Sequence, residues 1–285
     1  MRALEKLREA TEFLKKCDIE DASREAEIII THCLGIGRAA FFRDNPRIHK
    51  EELGKIDEFM ERRSKREPLQ YILGYVDFYG LKIKIGEGVL IPRPETELLV
   101  EEAIKIISNF EFRISNFKIL DLCTGSGCLA LALAKEFPDA QVYGIDISEV
   151  AIRYAKENAE INGIKNVTFL KGSLFESIAQ LVTFDLIVSN PPYIRRDDLK
   201  NLQPEVKDWE PIEALDGGED GLDYYRAIIP EAKSYLKEGR CLILELGFDQ
   251  ADAVRKIAQD ANFINISLIK DYAGIERIAT AKNDG

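Results

Sequence analysis

Phe184-Asp185-Leu186-Ile187-Val188-Ser189 runs into Asn190-Pro191-Pro192-Tyr193, an apolar stretch of strand length that ends at an amide, two prolines and an aromatic ring. A short apolar run bounded by proline reads as a buried parallel strand, and ligands of open α/β sheets bind just past the carboxyl ends of such strands. Asn190 therefore falls where a ligand is expected. Neither proline carries an N–H, each fixes its own φ, and the residue before each is held extended. The side-chain oxygen of Asn190 and the carbonyl of Pro191 are expected to face one point as two acceptors, beside the flat wall of the Tyr193 ring. That point suits a planar NH2 group, either a carboxamide or the exocyclic amine of adenine. Two fixed acceptors orient such a nitrogen and stabilise the positive charge that forms on it. Pro-Pro by itself more often marks only a turn; its position at a strand end carries the functional reading.

Outward from this stretch the chain alternates strand and helix. Lys118–Leu122 reads as a strand leading into Cys123-Thr124-Gly125-Ser126-Gly127 and a helix from Cys128, followed by strands over 142–146 and Val167–Lys171. Gly125 and Gly127 allow close backbone approach at a helix N-terminus. Asp146, 19 residues after Gly127, is placed to accept from ribose hydroxyls. A nucleoside cofactor is implied, although Gly125-x-Gly127-x-x-Ala130 also satisfies the dinucleotide fingerprint of an NAD-dependent oxidoreductase. A catalytically silent nucleotide-binding adaptor is the other reading from outside this chemistry. Asn-Pro-Pro-Tyr favours methyl transfer over both. Further on, helices are expected over 224–236 and 250–261, and strands over 241–246, 264–269 and 277–281. Seven strands in this order suggest an α/β, class I methyltransferase sheet of the Rossmann-like kind.

Residues 1–74 read as helical throughout, a small bundle. Leu4, Leu7, Thr11 and Leu14 share one face, a second helix ends at Gly35, and a third is expected over 50–66. The basic run Arg62, Arg63, Lys65, Arg66 reads as a solvated helix end rather than a nucleic-acid contact. Residues 75–90 alternate apolar and polar with glycine punctuation, a hairpin linking the bundle to a domain over 91–285. Ile91-Pro92-Arg93-Pro94-Glu95-Thr96-Glu97 is a proline-set helix start that could also be a rigid arm aimed at the site.

Composition narrows the partners. The chain has 285 residues, with 50 acidic against 39 basic residues and a net charge of −11, which opposes broad contact with a phosphate backbone. A protein or small-molecule substrate is favoured over nucleic acid. Five scattered cysteines without a C-x-x-C pair suggest neither disulfides nor a metal site. With only His32 and His49 present, a nucleophile–histidine site has little to build on. The start, Met1-Arg2-Ala3-Leu4-Glu5-Lys6, is charged and amphipathic, and no stretch approaches the ~18 apolar residues of a membrane span. A cytoplasmic protein is expected.

Several stretches together are similar to the HemK/PrmC family of protein-(glutamine) methyltransferases acting on class 1 peptide chain release factors. They are Gln70-Tyr71-Ile72-Leu73-Gly74, Ile91 to Glu97, Asp121 to Gly127, Asp146-Ile147-Ser148, Asn190 to Ile194, Glu210-Pro211 with Ala214 to Leu222, and Leu244-Glu245-Leu246-Gly247, and the likeness covers essentially the whole chain. It implies S-adenosylmethionine as cofactor and S-adenosylhomocysteine as product, with no metal. By this likeness Cys123, Thr124, Gly125, Ser126 and Gly127 line the methionyl end. Asp146 takes the ribose, Ser173 and Leu174 the adenine, and Asn190, Pro191, Pro192 and Tyr193 the substrate glutamine, which makes Asn190, Pro191 and Tyr193 the catalytic set. The helical bundle becomes a substrate-recognition domain for the release factor. Cys123 stands where the family has the first glycine of its loop, so a Cβ must be accommodated there. Ser173 and Leu174 replace an acidic and an aromatic residue found in some members. A glutamine methyltransferase of ribosomal proteins and an adenine methyltransferase of nucleic acid share the Asn-Pro-Pro-Tyr chemistry and remain the alternatives.

Overall fold

The computed structural model describes residues 1–108, 116–178 and 182–285, and the chain divides into two units. The first comprises Met1–Tyr75 together with Gln203–Trp209, the second Val76–Leu202 and Glu210–Gly285.

The first unit is helical, with helices at Ala3–Lys15, Ala22–Leu34, Arg38–Asp44, Lys50–Ser64 and Leu69–Leu73. Ala10, Leu14, Ala26, Ile29, Ile30, Phe41 and Ile56 form its core. The first helix turns differently from the sequence expectation: Ala3, Lys6, Ala10 and Leu14 are its buried residues, while Leu4 and Leu7 are only partly covered. Small alanines on the inner face let the first two helices approach closely. Nor is the basic run solvated throughout: Lys65 is exposed, but Arg63 is not. Arg63 is 4 % exposed, and its guanidinium pairs with Glu25 at 2.5 Å and Glu205 at 2.8 Å. Arg66 reaches the other Glu205 oxygen at 2.8 Å. A buried guanidinium needs such partners, because an unpaired buried charge costs several kcal/mol.

Strands β1 (Tyr75–Phe78) and β2 (Leu81–Lys84), which fall in the second unit from Val76 onward, form a hairpin. The main sheet contains β3 (Lys118–Leu122), β4 (Gln141–Asp146), β5 (Val167–Lys171), β6 (Phe184–Ser189), β7 (Leu236–Glu245), β8 (Ile264–Lys270) and β9 (Glu276–Lys282). Their spatial order is β5-β4-β3-β6-β7-β9-β8. The first five are parallel, and β9 runs antiparallel to both β7 and β8. β6 is buried at every position, as its continuous apolar run requires of a central strand with helices on both faces. β7 begins five residues earlier than the sequence pattern suggested, because Leu236 pairs with Phe184 ahead of a bulge. The strand order reverses between β3 and β6, which opens a crevice at their carboxyl ends.

Candidate active site

Register alone assembles the site. Ile145, Leu122, Ser189 and Leu244 lie in one row across β4, β3, β6 and β7. The next residues along these parallel strands are Asp146, Cys123, Asn190 and Glu245, so four chemically distinct side chains emerge side by side at the switch point. The buried Ser189 hydroxyl donates to the Leu122 carbonyl at 2.7 Å and ties the two central strands together there.

Above this row lies a cavity of about 490 Å³, within the usual range for small-molecule sites. Cys123, Thr124, Gly125, Ser126, Asp146, Ser173, Leu174, Asn190 and Pro192 line it, together with Thr96, Pro211 and Tyr224. Gly127, Pro191 and Tyr193 are not lining residues. Gly127 precedes the helix Cys128–Glu136 with φ +80°, and its N–H donates to the Thr124 carbonyl at 2.8 Å to close the loop. Pro191 is buried.

On the β3–β4 side the backbone does most of the work. Asp146 accepts from the Gly125 N–H and the Ser148 N–H, both at 2.8 Å. Burial nevertheless raises its carboxyl above the usual range, opposed by those two N–H groups. Gly125 has φ +55°, and a Cβ there would meet nothing within 4 Å, so the position faces open space. Cys123 is also left-handed at φ +58°, as is Leu174 at φ +47°. Left-handed backbone is costly for residues with a Cβ, and such strain gathers at functional sites. Beneath the loop, Asp121 is fully buried. Its Oδ2 accepts from the Thr124 hydroxyl at 2.5 Å and the Ala130 N–H at 3.2 Å, while Oδ1 has no partner among the described residues. Burial pushes this carboxyl up to about 7.

On the β6–β7 side the contacts are between side chains distant in sequence. Asn190 Nδ2 donates one N–H to the Thr96 hydroxyl at 3.2 Å, which leaves Oδ1 as the acceptor Asn190 can offer to a ligand, beside its second N–H. Thr96 is buried at the start of the helix Thr96–Ser108, so the proline-rich arm does reach the site. That arm is anchored at Glu210, whose carboxylate accepts from the Ile91 N–H at 3.0 Å and the Arg93 guanidinium at 2.5 Å. The Tyr193 hydroxyl donates to Glu245 Oε1 at 3.3 Å, and the Tyr193 carbonyl accepts from Gln250 Nε2 at 2.8 Å. A Cβ on Gly217 would stand 2.7 Å from Tyr193 Cα. The glycine-rich stretch from Gly217 is thus the floor against which Tyr193 packs. Thr96 and Glu245 were not singled out from the sequence as site residues. Both sit inside the family-like stretches, but nothing in local spacing links a helix start at 96 to an amide at 190.

The residues 5–74 match the family described as the PrmC N-terminal domain, and residues 114–281 match the methyltransferase domain. A release factor glutamine methyltransferase from Thermodesulfovibrio yellowstonii is 48% identical over 281 residues, covering 98% of this chain and 97% of that protein. The protein of the same name from Geobacter sulfurreducens is 44% identical, over 93% of this chain and 91% of its own. The chain belongs to the release factor glutamine methyltransferase family. Membership implies S-adenosylmethionine as methyl donor. The solved methyltransferase from Pyrococcus furiosus, 20% identical with a TM-score of 0.54 over 72% of this chain and 90% of that one, shares the fold of the sheet. In this member of the release factor glutamine methyltransferase family, no helix among the described residues is long and apolar enough to cross a membrane. Nor does any group of three or more His, Cys, Asp or Glu among them stand close enough to hold a metal ion.

Proposed function

We propose that this chain methylates the side-chain amide nitrogen of the glutamine in the Gly-Gly-Gln motif of class 1 peptide chain release factors, in the cytoplasm. The observation that carries the reading is the Asn190 amide: one N–H of its NH2 donates to Thr96 and sets the orientation of the group, so Oδ1 is the acceptor a carboxamide NH2 entering the cavity would meet. Full-length relatives bearing that activity in their names support the same substrate.

The residues present suit the cofactor. The open space at Gly125 and the acid at the end of β4 are what a nucleoside with a charged methionyl tail requires. Cys123 to Gly127 would hold the methionyl end, Asp146 the ribose, and Ser173 with Leu174 the adenine. When bound, S-adenosylmethionine supplies an electrophilic methyl group on a sulfonium and leaves as S-adenosylhomocysteine.

The chain's own residues act on the acceptor. An amide nitrogen is a poor nucleophile because its lone pair is delocalised into the carbonyl. Oδ1 of Asn190 accepts from one of its N–H bonds, helps aim the lone pair at the methyl carbon, and stabilises the charge that grows on nitrogen. The proton then leaves to solvent. Pro192 stiffens the turn, and Tyr193 supports it from below.

Methyl transfer from labelled cofactor tests the function: a purified release factor should be labelled, and ribosomal proteins and DNA should not. Labelling of ribosomal protein or DNA in preference would overturn the substrate. The helical unit is proposed to recognise the release factor. A chain starting near Gly74 should then bind S-adenosylmethionine normally and methylate the intact factor poorly, whereas full activity refutes recognition.

A further inference from the structure

Two segments distant in sequence reach the turn Asn190–Tyr193, and one buried acid joins them. The first is the proline-rich arm. Its Thr96 hydroxyl accepts an N–H of Asn190 Nδ2 at 3.2 Å, and the Thr96 N–H donates to the Arg93 carbonyl at 3.1 Å. The place of Thr96 is therefore set by Arg93. The second segment follows Glu210. It makes a single turn over Ile212–Ala214 and then pairs with the residue just after Tyr193: the Ile194 N–H donates to the Leu215 carbonyl at 2.9 Å, and the Gly217 N–H to the Ile194 carbonyl at 2.8 Å. Pro211, Glu213 and Ala214 of this segment line the same cavity as Pro92 and Thr96 of the arm.

Glu210 is 4 % exposed and is not a lining residue of that cavity. Both of its oxygens hold the arm: Oε2 accepts from the Ile91 N–H at 3.0 Å, and Oε1 from Arg93 Nη2 at 2.5 Å. These contacts close a circuit. It runs from Asn190 through Thr96 and Arg93 to Glu210, along the chain to Leu215, across to Ile194, and back through Tyr193 to Asn190. Because the Glu210 segment is pinned by backbone bonds to Ile194, it is a fixed reference from which the arm is placed. Stability does not account for such an acid, since buried ion pairs contribute little more than well-packed apolar side chains of the same volume. A carboxylate that meets a guanidinium with one oxygen and a backbone N–H with the other does fix a geometry.

We propose that Glu210 is a positioning residue for methyl transfer: by clamping Ile91 and Arg93 to the segment that is bonded to Ile194, it sets where Thr96 meets the Asn190 amide. The proposal rests on the reading of Asn190 as the acceptor-binding group. Positioning of this kind matters to the rate because a displacement of about 1 Å, even when caused by a remote residue, can cost about 10²-fold.

The test is a double-mutant cycle in kcat, measured on the full-length enzyme with saturating S-adenosylmethionine and release factor. Glu210→Gln keeps the size of the side chain and removes its charge from Arg93. Its kcat should fall by about tenfold, less than the 10²–10³ for losing the direct contact at Asn190, while cofactor affinity by calorimetry stays within about threefold. If Glu210 acts by placing Thr96 against Asn190, its loss has nothing to act on once the Asn190 side chain is gone. Glu210→Gln combined with Asn190→Ala should then be as slow as Asn190→Ala alone, within about twofold. A residue that only supports the fold would instead multiply the two losses. Arg93→Gln cuts the same link from its more exposed end and carries the same two expectations, which decide the matter if Glu210→Gln does not fold. Parental kcat in either single variant, or a double variant about tenfold slower than Asn190→Ala, overturns the proposal. Parental kcat in Asn190→Ala overturns the acceptor reading beneath it, whereas a slow Asn190→Ala beside a parental Glu210→Gln removes the positioning role alone.

Discussion

Asp146 and Glu245 are both acids standing one residue past the same row of the sheet, but they are held by different means. Asp146 has two backbone N–H donors at 2.8 Å, from Gly125 and Ser148, one of them only two residues away in the chain. Glu245 has a single tyrosine hydroxyl 52 residues away and one oxygen with no partner. Asn190, its neighbour in the row, is oriented by Thr96, 94 residues distant. Backbone donors come with the fold and survive most substitutions. Side-chain donors vanish with a single change. The cofactor half of the cavity should therefore tolerate variation in its lining, whereas the acceptor half should lose rate without losing cofactor.

The largest effect should come from Asn190→Ala, which removes the acceptor proposed to meet the substrate NH2. Its kcat should fall by about 10² to 10³ with cofactor affinity near the parental value. Equal losses in both would erase the distinction between the halves. Asp146→Ala is the converse. It should weaken S-adenosylmethionine by roughly 1.5 to 3 kcal/mol, the range for hydrogen bonds to a charged group, and titration calorimetry reads it directly. Unchanged affinity would remove Asp146 from the cofactor site.

A smaller effect belongs to Asp121, the acid under the loop Cys123 to Gly127. Its carboxyl is raised from the model-compound value of 3.8 to about 7, chiefly by burial. The folded chain therefore keeps a proton that the unfolded chain releases between those two values. The associated stability is fully present below the lower value and is lost as pH rises through the upper one. Denaturation midpoints of the parent should fall more steeply from about pH 5 to 7.5 than those of Asp121→Asn, and parallel curves would show that this acid does not titrate. The smallest effect is expected of Cys123→Gly, which relieves a left-handed Cβ residue at φ +58°. Relief of about 1 to 2 kcal/mol is partly offset by the greater freedom of glycine in the unfolded chain. A net gain of up to about 1 kcal/mol in denaturant unfolding is expected, and a loss would mean that the thiol packs usefully in the loop.

Much of this protein was readable before any fold was known. The strands Lys118–Leu122, Val167–Lys171 and Phe184–Ser189 were bounded to the residue; for Lys118–Leu122 and Phe184–Ser189 burial on both faces demands a mostly apolar run that glycine and proline terminate sharply, whereas in the edge strand Val167–Lys171 only Phe169 is buried. The glycine loop, Asp146 and the Asn-Pro-Pro-Tyr turn were visible for a related reason: each is a local device, whose backbone demands are met within a few residues. The tertiary structure alone decided that Arg63 is buried, since its partner Glu205 lies 142 residues away. It also decided that Thr96 meets the Asn190 amide, and that the Tyr193 hydroxyl meets Glu245. No periodicity records such pairings, because they arise when register aligns the ends of separate strands, and register is a property of the whole sheet rather than of any segment within it.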